Sequence, residues 1–522
     1  MTMDIHATQD AFLRYGDVVS TQFQKVPGSS ILVRYIRSSY QNDPARSAVE
    51  LIIFLFAVGY LLSPSYSTRK PNKVVLTEDE IDDLVADWTP ESLVQPETAF
   101  EKAENEKRPT IIGPTGPKSR IATSTGSKIV TNLASYNFYN LIANETLKEK
   151  AIQTLRTYGV GPCGPPGFYG TQDVHMKTEQ EIAEHLGTPA CIVYAQAFST
   201  ISSVIPAFSK RGDIIVADKA VNYSIRKGMQ ISRSTVYWYE HNDMEDLEKV
   251  LQKVVRSQAK KPLTRRFIVT EGLFENVGDV IDLPKIIELK QRYKFRVILD
   301  ETWSFGVLGA TGRGVTESQN VDANQVDMII GSLAGPICAG GGFCAGSPEV
   351  VEHQRIMAAA YTFSAALPAM LATTASEAIK LLQDEPEMGV KLQENIEGFW
   401  GQFDAKNFPK QQWVVCRSVR ENPIMLFVLK EDLVARYSLS IEDQEVIMQE
   451  IVDESLKKDV LITRLKPMPQ IIGTNARERQ WQPLPALKIC MTNGLTKKEV
   501  EQAGTNVRRA IHTVMEKRKF KR

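Results

Sequence analysis

The chain has 522 residues, 43% hydrophobic and 24% charged, with 62 basic and 62 acidic side chains. That balance excludes disordered and collagen-like chains, leaves length for two or three domains, and supplies no overall positive field to collect nucleic acid. The six cysteines, Cys163, Cys191, Cys338, Cys344, Cys416 and Cys490, show no CxxC and no paired spacing, so they read as reduced thiols and the bulk of the chain is expected to face the cytosol.

In chain order, residues 1–43 form a polar N-terminal tail. From Leu51 to Thr68 there is no charged side chain. Asp43 can cap a helix with Pro44 at its first position, and Pro64 forbids continuation, so residues 44–63 predict one membrane-spanning helix, about 30 Å long. Arg34, Arg37 and Arg46 on one side balance Arg69, Lys70 and Lys73 on the other, so charge does not choose an orientation. Residues 64–150 read as an acidic, proline-punctuated connecting arm, with a short helix at 78–88, followed by the start of the core.

Residues 151–387 predict a large α/β domain. Short β-branched runs at 190–194, 213–217, 267–270, 296–299 and 328–330 alternate with helical patterns such as 243–257 and 283–294. This alternation predicts a mostly parallel sheet with ligands at the carboxyl ends of its strands. Residues 388–522 read as a smaller α+β domain ending in a helix from about Lys497.

Three motifs invite a chemical reading. Gly159, Gly161 and Gly164 match the dinucleotide pattern GxGxxG, but a helix and not a strand precedes them, and Pro162 removes an amide that would face phosphate. The run 159–170, with five glycines and three prolines, instead predicts a stiff, sharply turning loop. His175, Glu179 and His185 are spaced off a single helix face, so no metal site is expected. Asp300 and Glu301 end a strand, where an aspartate paired to a pyridinium nitrogen belongs in pyridoxal phosphate chemistry, and residues 331–346 open another strand into a glycine-rich turn that usually carries a lysine.

Taken together, residues 135–139, the loop 159–170, His175 with Glu179, residues 269–272, Asp300, Glu301, Ser304, Gly306, residues 312–314 and residues 341–346 resemble the α-oxoamine synthase family. The resemblance implies a fold-type I, aspartate aminotransferase-like pyridoxal phosphate transferase. These enzymes condense an amino acid with an acyl-CoA. The departures are equally informative. Gly335 stands where the family has its Schiff-base lysine, and no lysine occurs from Phe295 to Ile379. Asn222 and Trp303 replace two histidines and Glu275 replaces a serine. Asp300 and Ser332, both cofactor-binding in the family, are then vestigial, and no residue of this chain is expected to be catalytic.

A membrane helix on a lysine-less core is similar to the non-catalytic subunits of heteromeric serine palmitoyltransferases. The resemblance implies a lysine-bearing partner that holds pyridoxal phosphate covalently, with serine and palmitoyl-CoA condensing at a site shared across the dimer interface. Cys163, Gly164, Tyr361, Phe363, Ser364 and Ala365 are the expected contributions of this chain. It also implies a single-pass protein of the endoplasmic reticulum membrane with a cytosolic core, bound by a small activating subunit and Orm-type regulators. Two alternatives stay open: a non-catalytic membrane scaffold or regulatory protein, and a self-sufficient synthase with unusual cofactor anchoring.

Overall fold

A computed structural model describes residues 25, 27–62, 76–88, 97–123, 126–404, 413–469 and 481–518. The sequence readings of residues 1–24, Pro64, Arg69, Lys70 and Lys73 lie outside the described residues. The chain divides into two compact units, Met1–Pro96 and Glu97–Arg522.

In the first unit the helix Pro44–Leu62 has 19 residues, none of them buried, and is long and apolar enough to cross a membrane. The first-turn proline and the bond from Arg46 N to Asp43 Oδ1 (3.1 Å) begin it as expected. The sequence reading of a featureless tail misses a second helix, Ser29–Asn42, immediately before it. Glu78–Asp87 is a helix with a Thr77–Glu80 capping box.

The second unit is built on a seven-stranded sheet: β1 (Ala190–Tyr194), β2 (Ile214–Asp218), β3 (Thr235–Tyr239), β4 (Arg266–Glu271), β5 (Arg296–Asp300), β6 (Met328–Ser332) and β7 (Gly342–Gly346). Their spatial order is β1-β7-β6-β5-β4-β2-β3. The strands β3, β2, β4, β5 and β6 run parallel, and β7 is antiparallel to both β6 and β1. Every residue of β2, β6 and β7 is buried, which is why these strands read as continuous apolar or small-residue runs without alternation. β3 and β7 lie beyond the strands read from sequence. Thr235–Tyr239 is wholly β-branched or aromatic, a usable signal. Gly342–Gly346 has little strand propensity and is held by its two neighbours, with Gly331 leaving room for the buried Phe343 ring.

Towards the C-terminus, Val414–Cys416, Ile424–Leu429, Ala486–Cys490 and Thr463–Arg464 make a four-stranded sheet, against which the helix Ile441–Lys457 packs, with Lys497–Lys517 packed on that helix. Residues 111–132, read as arm and core start, form strands too: Ile111–Ile112, Lys118–Thr123 and Gly126–Asn132, the last pairing in parallel with Val460–Leu461. The helix Ala99–Lys107 is tied to the same region. Arg464, its side chain almost fully buried, reaches Glu104 at 2.5 Å and Gln449 at 3.1 Å and lies over the Phe100 ring.

Candidate functional site

The parallel strands deliver their carboxyl ends to one edge of the sheet, and the acidic pair stands there. Asp300 ends β5 and is buried. Its Oδ1 accepts from Thr302 N (2.9 Å) and its Oδ2 from Asn222 Nδ2 (2.9 Å). Asn222 also caps the helix Tyr223–Ser232 through Ile225 N, and its own N–H donates to Glu271 at 2.6 Å. One asparagine thus serves a helix start and two buried carboxyls. Burial raises the Asp300 carboxyl's pKa against those bonds. Burial, then the charges of Asp300 and Glu275, hold Glu271 well above the ordinary range. Glu301 turns the other way. It accepts from Val315 N (3.1 Å) and Ser304 Oγ, and burial pushes it up to about 7.

Beside this cluster the C-terminal sheet contributes Lys488, on Ala486–Cys490. Its Nζ donates to Tyr136 Oη at 2.7 Å and lies 3.6 Å from Glu275 Oε1. It also sits 5.0 and 5.5 Å from the Tyr136 and Trp303 ring centroids, which are themselves 4.7 Å apart. Burial opposes the charge, but the Glu275 carboxylate and Tyr136 keep the ammonium's pKa above its ordinary value. Sequence reading singled out Glu275 and Trp303 as departures but missed Lys488. An isolated lysine inside an apolar strand was the available signal.

Gly335 lies in the half-buried turn after β6, with its carbonyl accepting from Cys338 N (3.0 Å). A Cβ built there meets nothing within 4 Å, so open space and not crowding surrounds the position. Ser332, buried at the end of β6, uses its hydroxyl to accept from Ala334 N. A covalently anchored pyridoxal phosphate does not fit these residues. Gly335 offers no amine to anchor it, and the Asp300 oxygen facing Asn222 already has its donor.

The expected shared segments are brought together. Ala366 N donates to Gly164 O at 2.9 Å, joining residues 159–170 to residues 359–367. His175 accepts from Gln172 N at Nδ1 (2.9 Å) and donates from Nε2 to Leu367 O (2.5 Å), so it caps its helix and fastens the second segment. Arg355 bridges Glu179 (2.8 Å) and the Tyr361 hydroxyl (2.7 Å). His185 takes no part. It accepts from Gln383, and burial lowers it to about 4. Tyr361 is buried, Gly164 half-buried, and Cys163, Phe363, Ser364 and Ala365 are exposed. Cys163 (φ 58) and Tyr169 (φ 63) both adopt the left-handed conformation, which side chains avoid, and Tyr169 stands fully exposed beside an exposed Phe168.

Residues 128–503 match the family model for aminotransferase class I and II. The chain belongs to that family. Within the aminotransferase class I and II family it is 36% identical to serine palmitoyltransferase 1 of Saccharomyces cerevisiae, over 95% of this chain and 94% of the yeast protein. It is 40% identical to long chain base biosynthesis protein 1 of Arabidopsis thaliana, over 78% of this chain and 81% of that one. A solved variant described as SPT with PLP shares the fold, with a TM-score of 0.67 at 20% identity, covering 84% of this chain and 99% of that one.

Proposed function

We propose that this chain is the lysine-less subunit of a heteromeric serine palmitoyltransferase. In that complex L-serine and palmitoyl-CoA condense to 3-ketodihydrosphingosine, the entry to sphingolipid bases. The observation that carries the reading is Gly335 in open space in the turn after β6, in a core whose Asp300 is already bonded by Asn222. A family core in this state needs another chain to bring the covalent cofactor. The names of the yeast and Arabidopsis relatives support the acyltransferase and its pathway.

The role of this chain is to complete and stabilise the partner's site. Fold class alone does not give that role, but the joined segments 159–170 and 359–367 support it. Two non-glycine residues in a strained conformation and three outward-facing aromatics, Phe168, Tyr169 and Phe363, are costly on a free surface and suit one covered by a partner. Cys163, Gly164, Tyr361, Phe363, Ser364 and Ala365 form this chain's wall. The helix Pro44–Leu62 anchors the complex as a single span in the endoplasmic reticulum membrane, with the core in the cytosol and a small activating subunit and Orm-type regulators attached.

The test is co-purification from membranes. A lysine-bearing homologue is expected to accompany the chain, and the pair should show cofactor absorbance and serine-dependent turnover. The chain alone should show neither. Gly335→Lys is expected to leave it inactive, because Asn222, Trp303 and Glu275 would still fail to stack and position the cofactor ring. Cofactor absorbance in the wild-type chain alone would overturn the assignment.

A further inference from the structure

The helix Ser29–Asn42 is not accounted for by catalysis or by the span. At about 100° per residue, Ile31, Leu32, Tyr35, Ile36 and Tyr40 fall on one side, and Ser30, Arg34, Arg37, Ser38 and Gln41 on the other. All five apolar side chains are more than half exposed. The helix has 14 residues and thus a length of about 21 Å, too short to cross a bilayer, and it carries two arginines mid-length with no acidic residue.

Its connection to the next helix is fixed. Asp43, in an extended conformation (φ −153°, ψ 93°), donates its N–H to Ser39 O and accepts from Arg46 N at Oδ1. Across this elbow Ser47 Oγ donates to Ser39 Oγ at 3.0 Å. One residue therefore separates an amphipathic helix from Pro44–Leu62.

We propose that Ser29–Asn42 lies in the plane of the membrane surface, its apolar side in the acyl boundary and Arg34 and Arg37 among anionic lipid phosphates. The inference rests on the reading of Pro44–Leu62 as a span. Continuity with that span places the helix at headgroup depth, its length forbids a second crossing, and its uncompensated positive side matches the phosphates. Tyr35 and Tyr40 have the amphipathic rings that favour this level. The elbow at Asp43 then converts the in-plane helix into a collar that sets the depth and tilt of the span.

The test uses the full chain in its native complex and membranes, with single cysteines at Tyr35, Ile36, Arg37, Gln41 and Ile53, and alkylation by a membrane-impermeant maleimide read per site by mass spectrometry. Tyr35→Cys and Ile36→Cys should react about tenfold more slowly than Arg37→Cys and Gln41→Cys, the ratio expected when lipid covers one side of the helix. A photoreactive phosphatidylcholine in the same membranes should mark positions 35 and 36. Equal reaction at 35, 36, 37 and 41 overturns the proposal, and so does protection of 35 and 36 without a lipid adduct, which assigns that side to a protein. Ile53→Cys reports the span separately. Rapid labelling there rejects the anchor itself, whatever the other four positions do.

Discussion

The cluster at Asp300 and the joined loops around Cys163 and Ala365 direct their side chains in opposite ways. In the pocket, the groups that would face a ligand face one another: Asn222 with Asp300, and Lys488 with Glu275, Tyr136 and Trp303. At the loops, backbone strain and aromatic side chains remain turned outward, and the internal bonds serve only to hold the two segments together. A side chain lost to chemistry can thus be absorbed into stability, whereas a surface kept in a costly conformation needs something outside the chain to justify it. Pocket substitutions should move folding, and loop substitutions should move the partner.

The largest effect is expected at His241. His241 lies between Asp218 and Asp279, at 3.0 Å from each. Burial opposes its charge, but bonds to Asp218 and Asp279 and their charges raise it to about 10. Because the folded value lies above the ordinary 6.5, its contribution is full below pH 6.5 and is lost as pH rises through 10. Thermal melts of the wild-type chain should lose roughly 4 kcal/mol across that window, and His241→Gln should flatten the dependence. An unchanged slope in the variant would remove His241 from the account.

Lys488→Ala should cost about 3 kcal/mol, since it strips the cation from Glu275 and Tyr136, and a urea titration measures it directly. At the loops, Cys163→Trp and Ala365→Leu should lower the complex's turnover by up to about a hundredfold through displacement of the bound amino acid, with serine-over-alanine preference altered and complex yield retained. Turnover falling strictly with yield, at unchanged preference, would place these residues in packing alone. The smallest effect separates the two duties of Asn222. Asn222→Ser keeps a cap and loses the Asp300 bond, Asn222→Ala loses both, and each step should cost about 1 kcal/mol by melting.

Much of the architecture could be read from pattern. Five strands, the helix from Pro44 and the strand-end position of Asp300 follow from β-branched runs, proline placement and alternation, because burial on both faces and fixed φ leave those marks on local sequence. β7 could not be read that way, because a segment bounded by two glycines is ordered by hydrogen bonds to the preceding β6 and to β1, which lies far back along the chain. The site divides similarly. Gly335 and its neighbouring substitutions were visible as departures from a family pattern, while what Asn222 and Lys488 do instead depends on contacts with Asp300, Tyr136 and Glu275 that no local window contains. Helix Ser29–Asn42 has a legible periodicity, but the longer apolar run beside it dominates the local pattern.

The bond from Ala366 N to Gly164 O has a consequence for the order of folding. Its two segments belong to distant parts of the chain, with all seven central strands starting and ending between them. Closing so long a loop is slow and entropically unfavourable until the intervening sheet is in place. The outward surface they make together is therefore absent from partly folded chains. A partner that recognised it would select completed molecules, which would make assembly a checkpoint on synthesis.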